Sequence, residues 1–255
     1  MLEKLSNLPN PFQIISDPVS IIVIAIFLCL LIAEETFPAR VLPKIPYWKI
    51  KGICAFVIYF FLSSYLPLIW NDYLADYQIV NLSILGDYWG ALVALLVYEL
   101  GVYVWHRAMH NNNLLWRVFH QMHHSAERVD TYGTFFFSPM DMIGFTFLTS
   151  LAMVWIGFTP QATIYALYGA TFLAVIQHTN IKTPLWMGYI FQRPESHSVH
   201  HEKGVHAHNY SDLPIFDILF GTFHNPKEFA KETGFYTGAS FKIGKMMLFK
   251  DINKE

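Results

Sequence analysis

Long apolar segments constrain the fold of this chain more than any other feature. Apolar residues make up 54% of the 255 residues and charged residues only 14%, which departs from a soluble domain in both respects. A membrane-spanning helix needs about 20 mainly apolar residues. We therefore predict an all-α fold, a polytopic membrane helical bundle with four to five spans. The five candidate segments are 19–33, 51–70, 88–105, 142–158 and 160–178.

Two features of these segments leave the number of spans open. The first segment, 19–33, is short enough to be a partial or tilted element. The last two segments meet at Gly157-Phe158-Thr159-Pro160, which is a turn signal. We therefore predict that they form a helical hairpin.

The distribution of lysine and arginine predicts which side of the membrane each loop faces. Arg40, Lys44, Lys49 and Lys51 lie between the first two segments, whereas no basic residue lies between the second and third. The connection 107–128 is basic, the hairpin tip is not, and the region after residue 178 is rich in lysine. This alternation predicts an outside N-terminus and a cytoplasmic C-terminus.

Three clusters hold eight of the twelve histidines: HRAMH at 106–110, HQMHH at 120–124 and HSVHH at 197–201. Residues three and four apart lie on one face of a helix. Each cluster can therefore direct two or three imidazoles at a common point. Imidazole suits zinc, copper, iron and nickel. Because eight converging rings exceed the four ligands of one structural zinc, the pattern predicts at least two metal ions.

A ninth histidine is predicted to reach the same membrane surface. His178 ends the last apolar segment, and the predicted topology puts that end on the cytoplasmic side with all three clusters. A lone histidine at such a position is more often an interface residue, but this convergence favours a ligand. The candidate metal ligands are His106, His110, His120, His123, His124, His178, His197, His200 and His201.

Acidic residues near the clusters are candidates for orienting the histidine rings. Glu99 lies inside the third segment, two helical turns before His106 on the same face. An intramembrane carboxylate indicates a functional site, so we predict that Glu99 accepts the free ring N–H of a metal-bound histidine. The alternative is a helix-packing hydrogen bond. Four further acidic residues are candidates for such a role or for solvated surface charges: Asp130, Glu195, Asp212 and Asp217.

The remaining C-terminal histidines favour other roles. His206 and His208 are two residues apart, so they do not share a helix face. We predict that they pack in a loop or support the ligands, and an additional ligand among them stays open. His224 is predicted to be an ordinary surface residue.

These motifs resemble the fatty acid hydroxylase and sterol desaturase superfamily of membrane oxygenases. The resemblance covers about residues 88–225, predicted as the catalytic domain, between an N-terminal membrane region (1–87) and a solvated or headgroup-facing, Lys-rich cytoplasmic tail (226–255). The matching segments are HRAMH (106–110), LLWRVFHQMHHS (114–125), QHTN (177–180), RPESHSVHH (193–201) and NYSDLPIFDILFGTF (209–223).

The resemblance implies a diiron centre held by the nine histidines, in a membrane domain under a cytoplasmic histidine-rich helical cap. Family members oxidise lipids with O2 and two electrons. The expected reaction is hydroxylation of a fatty acyl chain or a sterol-like lipid, and desaturation or methyl-sterol-type oxidation is the alternative. Because no cytochrome b5-like domain is present, electrons are expected from a separate protein that resembles cytochrome b5, a ferredoxin or a reductase.

One motif departs from the family pattern. Where the family has a second histidine near QHTN, this chain has Ile181 and Lys182. Asn180, or a water that it holds, is the candidate for the missing ligand.

Other functional classes fit the sequence less well. A metal transporter would place ionisable ligands along a path through the membrane, whereas only Glu99 lies inside a predicted span. The net charge of −2 gives no indication of nucleic-acid binding. A zinc-bound structural or hydrolytic protein is a third alternative. Zinc can occupy these imidazoles on overexpression, because it binds such sites at least as tightly as ferrous iron, so zinc in a purified sample does not by itself refute an iron enzyme. The expected membrane is the bacterial inner membrane or the endoplasmic reticulum.

Overall fold

The chain is helical, and its longest helices contain the apolar segments. The described residues form no β-strand, so the all-α prediction is confirmed. Within residues 7–253, which the computed structural model describes, the α-helices are α1 (Pro11–Ser16), α2 (Pro18–Thr36), α3 (Trp48–Ala75), α4 (Gly86–Asn111), α5 (Asn113–Leu115), α6 (Gln121–His124), α7 (Pro139–Val154), α8 (Pro160–Ile176), α9 (Pro194–His200), α10 (Pro214–Leu219) and α11 (Ile243–Met247).

Three of the long helices begin with the same local signal. Asp17, Ser138 and Thr159 immediately precede α2, α7 and α8, and each accepts a hydrogen bond from a backbone N–H of the first turn. A proline follows each cap at the first helical position. Its missing N–H costs nothing there, because that group has no helical partner in any case. These caps fix where the apolar helices start.

Three helices are long and apolar enough to cross a membrane, which is consistent with an integral membrane protein. They are Pro18–Thr36, Trp48–Ala75 and Ser83–Asn111, the last including a 3-10 turn before α4. The first shows that the short segment 19–33 belongs to a 19-residue helix. At 16 and 17 residues, α7 and α8 are shorter than these three. The prediction of four to five spans therefore depends on these two helices.

The turn between α7 and α8 is present, but the two helices do not form a closely packed hairpin. Gly157 adopts a left-handed conformation there, with φ of 65°. Helix α4 packs extensively against both α7 and α8. Ala94 of α4 shares a buried cluster with Ala152 of α7 and Ala166 of α8. These small residues let α4 approach both helices closely, so the two helices joined by the predicted turn pack mainly against α4.

Short helices and loops form a cap at one end of the long helices. Its core buries Trp48, Trp116 and Phe136. The segment predicted as a solvated tail folds back onto this core, where Met246 and Ile252 are fully buried. The prediction of a solvated or headgroup-facing surface therefore does not hold for the apolar side chains of this segment, which pack against the cap.

Candidate metal centre

All nine candidate ligands meet where the long helices join the cap. Within each of two groups, the ligand atoms lie within 4.8 Å of one another. The first histidine group contains His106, His110, His120, His124 and His200. The second histidine group contains His123, His178, His197 and His201.

Helix geometry explains how the clusters divide between the groups. His106 and His110 of α4 are four residues apart and stay together. The other two clusters split: the adjacent pair His123 and His124 enters different groups, and so does the pair formed by His200 and the residue after it. Adjacent helical residues point about 100° apart. The expectation that each cluster converges on one point is therefore wrong for the two HxxHH clusters, which bridge the two groups instead.

A π-helical turn, Trp116–His120, precedes α6 and adds to this arrangement. Such turns are rare and occur frequently at functional sites. Here the turn carries His120 into the first group, just before α6 supplies one ring to each group. No residue pattern in the sequence predicts this wider turn.

The rings are buried and neutral. Eight of the nine are at most 7% exposed, and only His110 is partly accessible. Burial lowers the pKa of His120, His123 and His200 well below the ordinary value, and neighbouring imidazoles lower it further. The same holds for the pKa values of His124, His197 and His201. Neutral imidazole is the form that binds a metal.

The hydrogen bonds of the first group leave lone pairs facing inward. His106 donates from Nδ1 to the carbonyl of Tyr210 at 2.8 Å, and His120 donates from Nδ1 to the carboxylate of Asp141 at 2.9 Å. A neutral imidazole has one N–H, so both Nε2 atoms carry lone pairs. These two Nε2 atoms lie 2.9 Å apart. Two lone pairs at this distance repel each other unless a cation lies beside both, so the donor set fits a metal.

Two further rings of this group also donate a hydrogen bond to a backbone carbonyl from Nδ1. His110 donates from Nδ1 to the carbonyl of His206 at 2.9 Å, and His200 donates to the carbonyl of His208 at 2.6 Å. The Nε2 of His110 is buried and has no hydrogen-bond partner among the described residues. The Nε2 of His200 lies 3.1 Å from that of His124. A buried, unpartnered lone pair is costly, and a metal ion would satisfy it.

The second group is equally compact. His178 donates from Nδ1 to the carbonyl of Ala174 at 2.7 Å. Its Nε2 lies 3.1 Å from that of His123 and 2.9 Å from that of His197. The Nε2 atoms of His197 and His201 are 3.1 Å apart. Four ring nitrogens therefore face one another, which fits a second metal.

The residues that orient the rings are mostly backbone carbonyls. His206 and His208 supply two of them from left-handed conformations, with φ of 43° and 69°. The predicted supporting role of these two residues is therefore seen, although their backbone carbonyls rather than their imidazole rings provide most of the support. His224 is exposed, as predicted.

Among residues 7–253, Asp141 is the one carboxylate with a hydrogen bond to a ring of these groups, and it was not among the predicted residues. It lies in the first turn of α7 and is fully buried. A signal was available, because Asp141 directly precedes the apolar segment 142–158. A carboxylate at the edge of an apolar segment indicates a functional site for the same reason as Glu99 inside one.

Glu99 does not accept a ring N–H, so that prediction is wrong. Its Oε2 accepts hydrogen bonds from the Ser211 hydroxyl and the Asp212 backbone N–H, each at 2.9 Å, and from Leu213 at 3.3 Å. Side chains on a helix lean towards its N-terminus. Glu99 therefore extends away from His106 and fixes the 211–213 loop, as in the packing alternative.

Asp130 also supports the fold rather than a ring. It accepts hydrogen bonds from the Trp48 indole at 2.9 Å and from the Gly133 backbone N–H at 3.0 Å, and it forms an ion pair with Arg128. The carboxylate is fully buried. Its contacts join α3 to the loop after α6, so its predicted role beside a histidine is wrong.

Asn180 is not placed to supply the missing ligand. Its Oδ1 accepts from the Arg40 guanidinium at 3.1 Å, and its Nδ2 donates to the Arg40 carbonyl at 2.7 Å. Its backbone N–H donates to Glu34 at 3.0 Å. Both polar atoms of the side chain are therefore engaged with the segment after α2, and the prediction for Asn180 is wrong.

The other acidic candidates also bond away from the rings. Glu195 forms an ion pair with Arg193, and Asp212 accepts from the Gln177 amide at 2.6 Å. Asp217 accepts the backbone N–H of Tyr210 at 2.8 Å. Asp217 thereby fixes the residue whose carbonyl orients a ring of the first group.

Comparison with known proteins identifies relatives across the histidine-rich region. The sequence model of the family described as fatty acid hydroxylase matches residues 91–222, just over half of the chain. An ornithine lipid hydroxylase from Rhizobium tropici is 30% identical over 139 residues, which cover 53% of this chain and 42% of that protein.

Further relatives carry other activities in their names. A very-long-chain aldehyde decarbonylase from Oryza sativa subsp. indica is 32% identical, covering 56% of this chain and 58% of that protein. An alkylglycerol monooxygenase from Homo sapiens is 30% identical, covering 66% of this chain and 36% of that protein. The matched part is thus less than two thirds of each relative. No solved structure is significantly similar.

Proposed function

This chain belongs to the fatty acid hydroxylase family, and on that basis we propose that it is an O2-dependent membrane enzyme that hydroxylates a hydrocarbon chain of a lipid. The observation that carries the proposal is the pair of adjacent histidine groups, buried, neutral and facing inward with Nε2. The net reaction consumes the lipid, O2, two electrons and two protons, and it yields the hydroxylated lipid and water.

Iron is the metal that this chemistry requires. The first histidine group would hold one iron and the second group the other. Bound iron would supply the oxidation of an unactivated C–H bond, which no side chain performs. Nitrogen-only groups of five and four rings are compatible with iron and also with zinc, so zinc in an overexpressed sample is expected to be non-native occupancy.

The chain's own residues orient the rings and exclude water. Backbone carbonyls and Asp141 hold Nδ1–H of ligating rings, which fixes their tautomer and strengthens Nε2 as a donor. The cap buries all but one of the rings. Lipid is expected to approach through the helices, and electrons through the cap.

We also propose that the cap faces the cytoplasm and receives electrons from a separate protein. A groove of about 1010 Å³ on the cap is lined by five basic and three acidic residues, which leaves a net excess of two positive charges. Basic segments lie on the cytoplasmic side of membrane proteins, and a basic groove favours an acidic partner. Such a donor would be of the cytochrome b5, ferredoxin or reductase type. The five residues are Arg40, Lys44, Lys182, Lys203 and Lys231.

A second candidate function uses the same centre. The similarity to an aldehyde decarbonylase indicates that related chains process lipids in other ways. Desaturation or oxidation of a methyl group or aldehyde differs from hydroxylation in the group placed beside the metals. The product of the assay below distinguishes these reactions.

The test is a single turnover of iron-loaded protein. The protein is reduced chemically, exposed to ¹⁸O2 and extracted for lipids, and its iron content is measured beforehand. We expect about two irons per chain and one ¹⁸O atom in a hydroxylated lipid. His120→Ala should lose iron and product, whereas His224→Ala, an exposed histidine outside both groups, should retain both. Full product in His120→Ala, or no oxidised lipid from iron-loaded wild type, would refute the proposal.

A further inference from the structure

Two adjacent cavities lie between the histidine groups and the far end of the helix bundle. A small cavity of about 60 Å³ lies beside the histidines. A larger one of about 580 Å³, the bundle cavity, is lined by α1, α2, α3, α4, α7 and α8. Four residues, called the ring below, line both cavities and therefore lie between them: Tyr59, Tyr98, Phe135 and Ala174.

The bundle cavity extends away from the cap. At the cap end of α2, Glu34 accepts hydrogen bonds from Thr131 at 2.8 Å and Asn180 at 3.0 Å. At the other end of α2, Asp17 and Ser20 line the cavity. Asp17 and Glu34 are about 26 Å apart along the helix, at 1.5 Å per residue. Because α2 is long and apolar enough to cross a membrane, the cavity approaches the surface opposite the cap.

The opening of the bundle cavity lies at that far end. Asp17 is exposed and Leu68 is 39% exposed, whereas Phe60 and Tyr98 towards the ring are buried. The described lining residues include no lysine or arginine, and Asp17 is their only carboxylate. The mouth is therefore suited to a neutral or cationic head group and disfavours an anionic one.

The shape and lining of the cavity suit one hydrocarbon chain. Phe56 and Leu68 mark its extent along α3, about 18 Å at the helical rise. A volume of 580 Å³ over that length leaves a mean cross-section of about 30 Å². The hydroxyls of Ser63 and Ser64 donate to the carbonyl of Phe60 at 3.1 and 2.7 Å. These hydroxyls are thus satisfied within their own helix, and the wall requires no polar partner from a ligand.

We infer that the bundle cavity holds a single unbranched hydrocarbon chain inserted end first. The polar head group lies at the mouth near Asp17, and the far end of the chain reaches the ring beside the histidines. This inference rests on the proposed function and specifies its substrate, a long-chain amphiphile that is oxidised far from its head group. About 18 Å corresponds to about 14 carbons of an extended chain, because each bond of ~1.5 Å advances the zigzag by only about 1.25 Å, so shorter chains fall short of the metals.

The opposite orientation is disfavoured by the space at the histidines. The cavity there, about 60 Å³, has room for a few water molecules. Gln177 and Asp212 also line it, but they hydrogen-bond each other at 2.6 Å. A head group would have to displace this pair and the ring residues, whereas a chain end needs only an apolar gap.

Photocrosslinking of the full chain in lipid nanodiscs tests the orientation without requiring turnover. Two long-chain fatty alcohols are used, one with a diazirine at the last carbons and one with it beside the hydroxyl. The terminal probe should label Tyr59 or Phe135, and the head-side probe should label residues 13–20. The reversed pattern, or the same pattern for both probes, would overturn the inference.

A matched pair of variants tests whether the labelled space is the bundle cavity. Ser63→Trp fills the cavity from α3, whereas Ile58→Trp adds the same indole side chain on the exposed face of that helix. Labelling of the ring by the terminal probe should fall severalfold in Ser63→Trp and stay unchanged in Ile58→Trp. Unchanged labelling in Ser63→Trp would contradict the inference. If that variant does not fold, the two-probe pattern on wild type still decides the orientation.

The single-turnover assay on the same preparation separates the two proposals. The predicted labelling without any oxidised lipid would refute the proposed function and support the binding mode. Hydroxylated lipid with the reversed labelling would support the function and refute the orientation. With both correct, ¹⁸O appears about 14 carbons or more from the head group.

Discussion

The two histidine groups differ in how firmly the protein holds their rings. In the first group every Nδ1 has a partner: carbonyls hold three rings, Asp141 holds His120, and His206 lies 3.1 Å from His124. In the second group only His178 has one. The Nδ1 atoms of the other three have no partner among residues 7–253: His123, His197 and His201.

This difference indicates that the rings of the first group are held in position for a metal, whereas the rings of the second group can change their orientation. A partner on Nδ1 fixes the orientation and tautomer of a ring, and losing one typically costs 10–100-fold in metal affinity. The second group also has four rings rather than five, and the QHTN segment contributes His178 alone to it. We therefore expect its metal to bind more weakly and to tolerate changes of coordination more readily.

The largest expected effect is on the order in which metal is lost. A chelator should remove the iron in two steps, with the second-group iron leaving first by a factor of roughly 10–100 in affinity. His201→Ala should abolish the early step and leave about one iron per chain. Iron analysis during chelator titration measures this. Simultaneous loss of both irons, or early loss from the first group, would show that the two groups hold metal equally.

The next effect comes from removing the carboxylate of the first group. Asp141→Ala deprives His120 of its Nδ1 partner, so the first-group iron should bind about 10–100-fold more weakly and approach the behaviour of the second group. Asp76→Ala, at the exposed C-terminal end of α3, is the control. The same two-step titration detects the change. An unaltered first-group affinity would mean that the partner on Nδ1 does not cause the difference.

The pH dependence of the metal-free protein should be smaller in effect but shared by both groups. Burial lowers the pKa of rings such as His124 and His197 below the ordinary value of about 6.5. The unfolded chain therefore takes up protons first, and stability is complete above about pH 6.5 and falls as the pH drops below it. Thermal unfolding in detergent at pH 8 and pH 6 should show a lower Tm at pH 6. Metal-loaded protein should shift at least as much, because bound metal also keeps the rings unprotonated in the folded state. An unchanged Tm in the metal-free protein would contradict the neutral state of the rings.

Much of this comparison was predictable from sequence, and the part that was not has a physical cause. Helical spacing and the topology of lysine and arginine brought His106 and His178 to one surface although they lie far apart in the chain. Sequence could not predict the division into groups, because it depends on the π-helical turn and on the 100° rotation between neighbours such as His123 and His124.

The supporting residues were harder to predict. Backbone carbonyls orient most rings, and a carbonyl leaves no mark in a sequence. Glu99 was chosen because a carboxylate inside a span is costly and indicates a function, whereas Asp130 was a candidate with a solvated surface charge as its alternative. Both carboxylates are buried, but their partners could not be predicted, because they depend on the loops that fold over them.

The smallest expected effect is on the free energy of unfolding, through the 211–213 loop that supports only the first group. Glu99→Gln weakens the hydrogen bonds to Ser211 and Asp212, beside the residue whose carbonyl orients His106. The free energy of unfolding should fall by about 1–3 kcal/mol, whereas Tyr88→Phe on the exposed face of the same helix should change it little.

Iron analysis on Glu99→Gln then discriminates between the two roles considered for this carboxylate. A loop support predicts full iron content in both groups and a lower Tm. A direct bond to a metal-bound ring predicts a 10–100-fold loss of iron affinity in the first group. Glu99 reaches the loop from the helix that also carries His106. A small change in the iron affinity of the first group, with no change in that of the second, would therefore show that the 208–213 backbone and α4 help to hold the first-group rings in position.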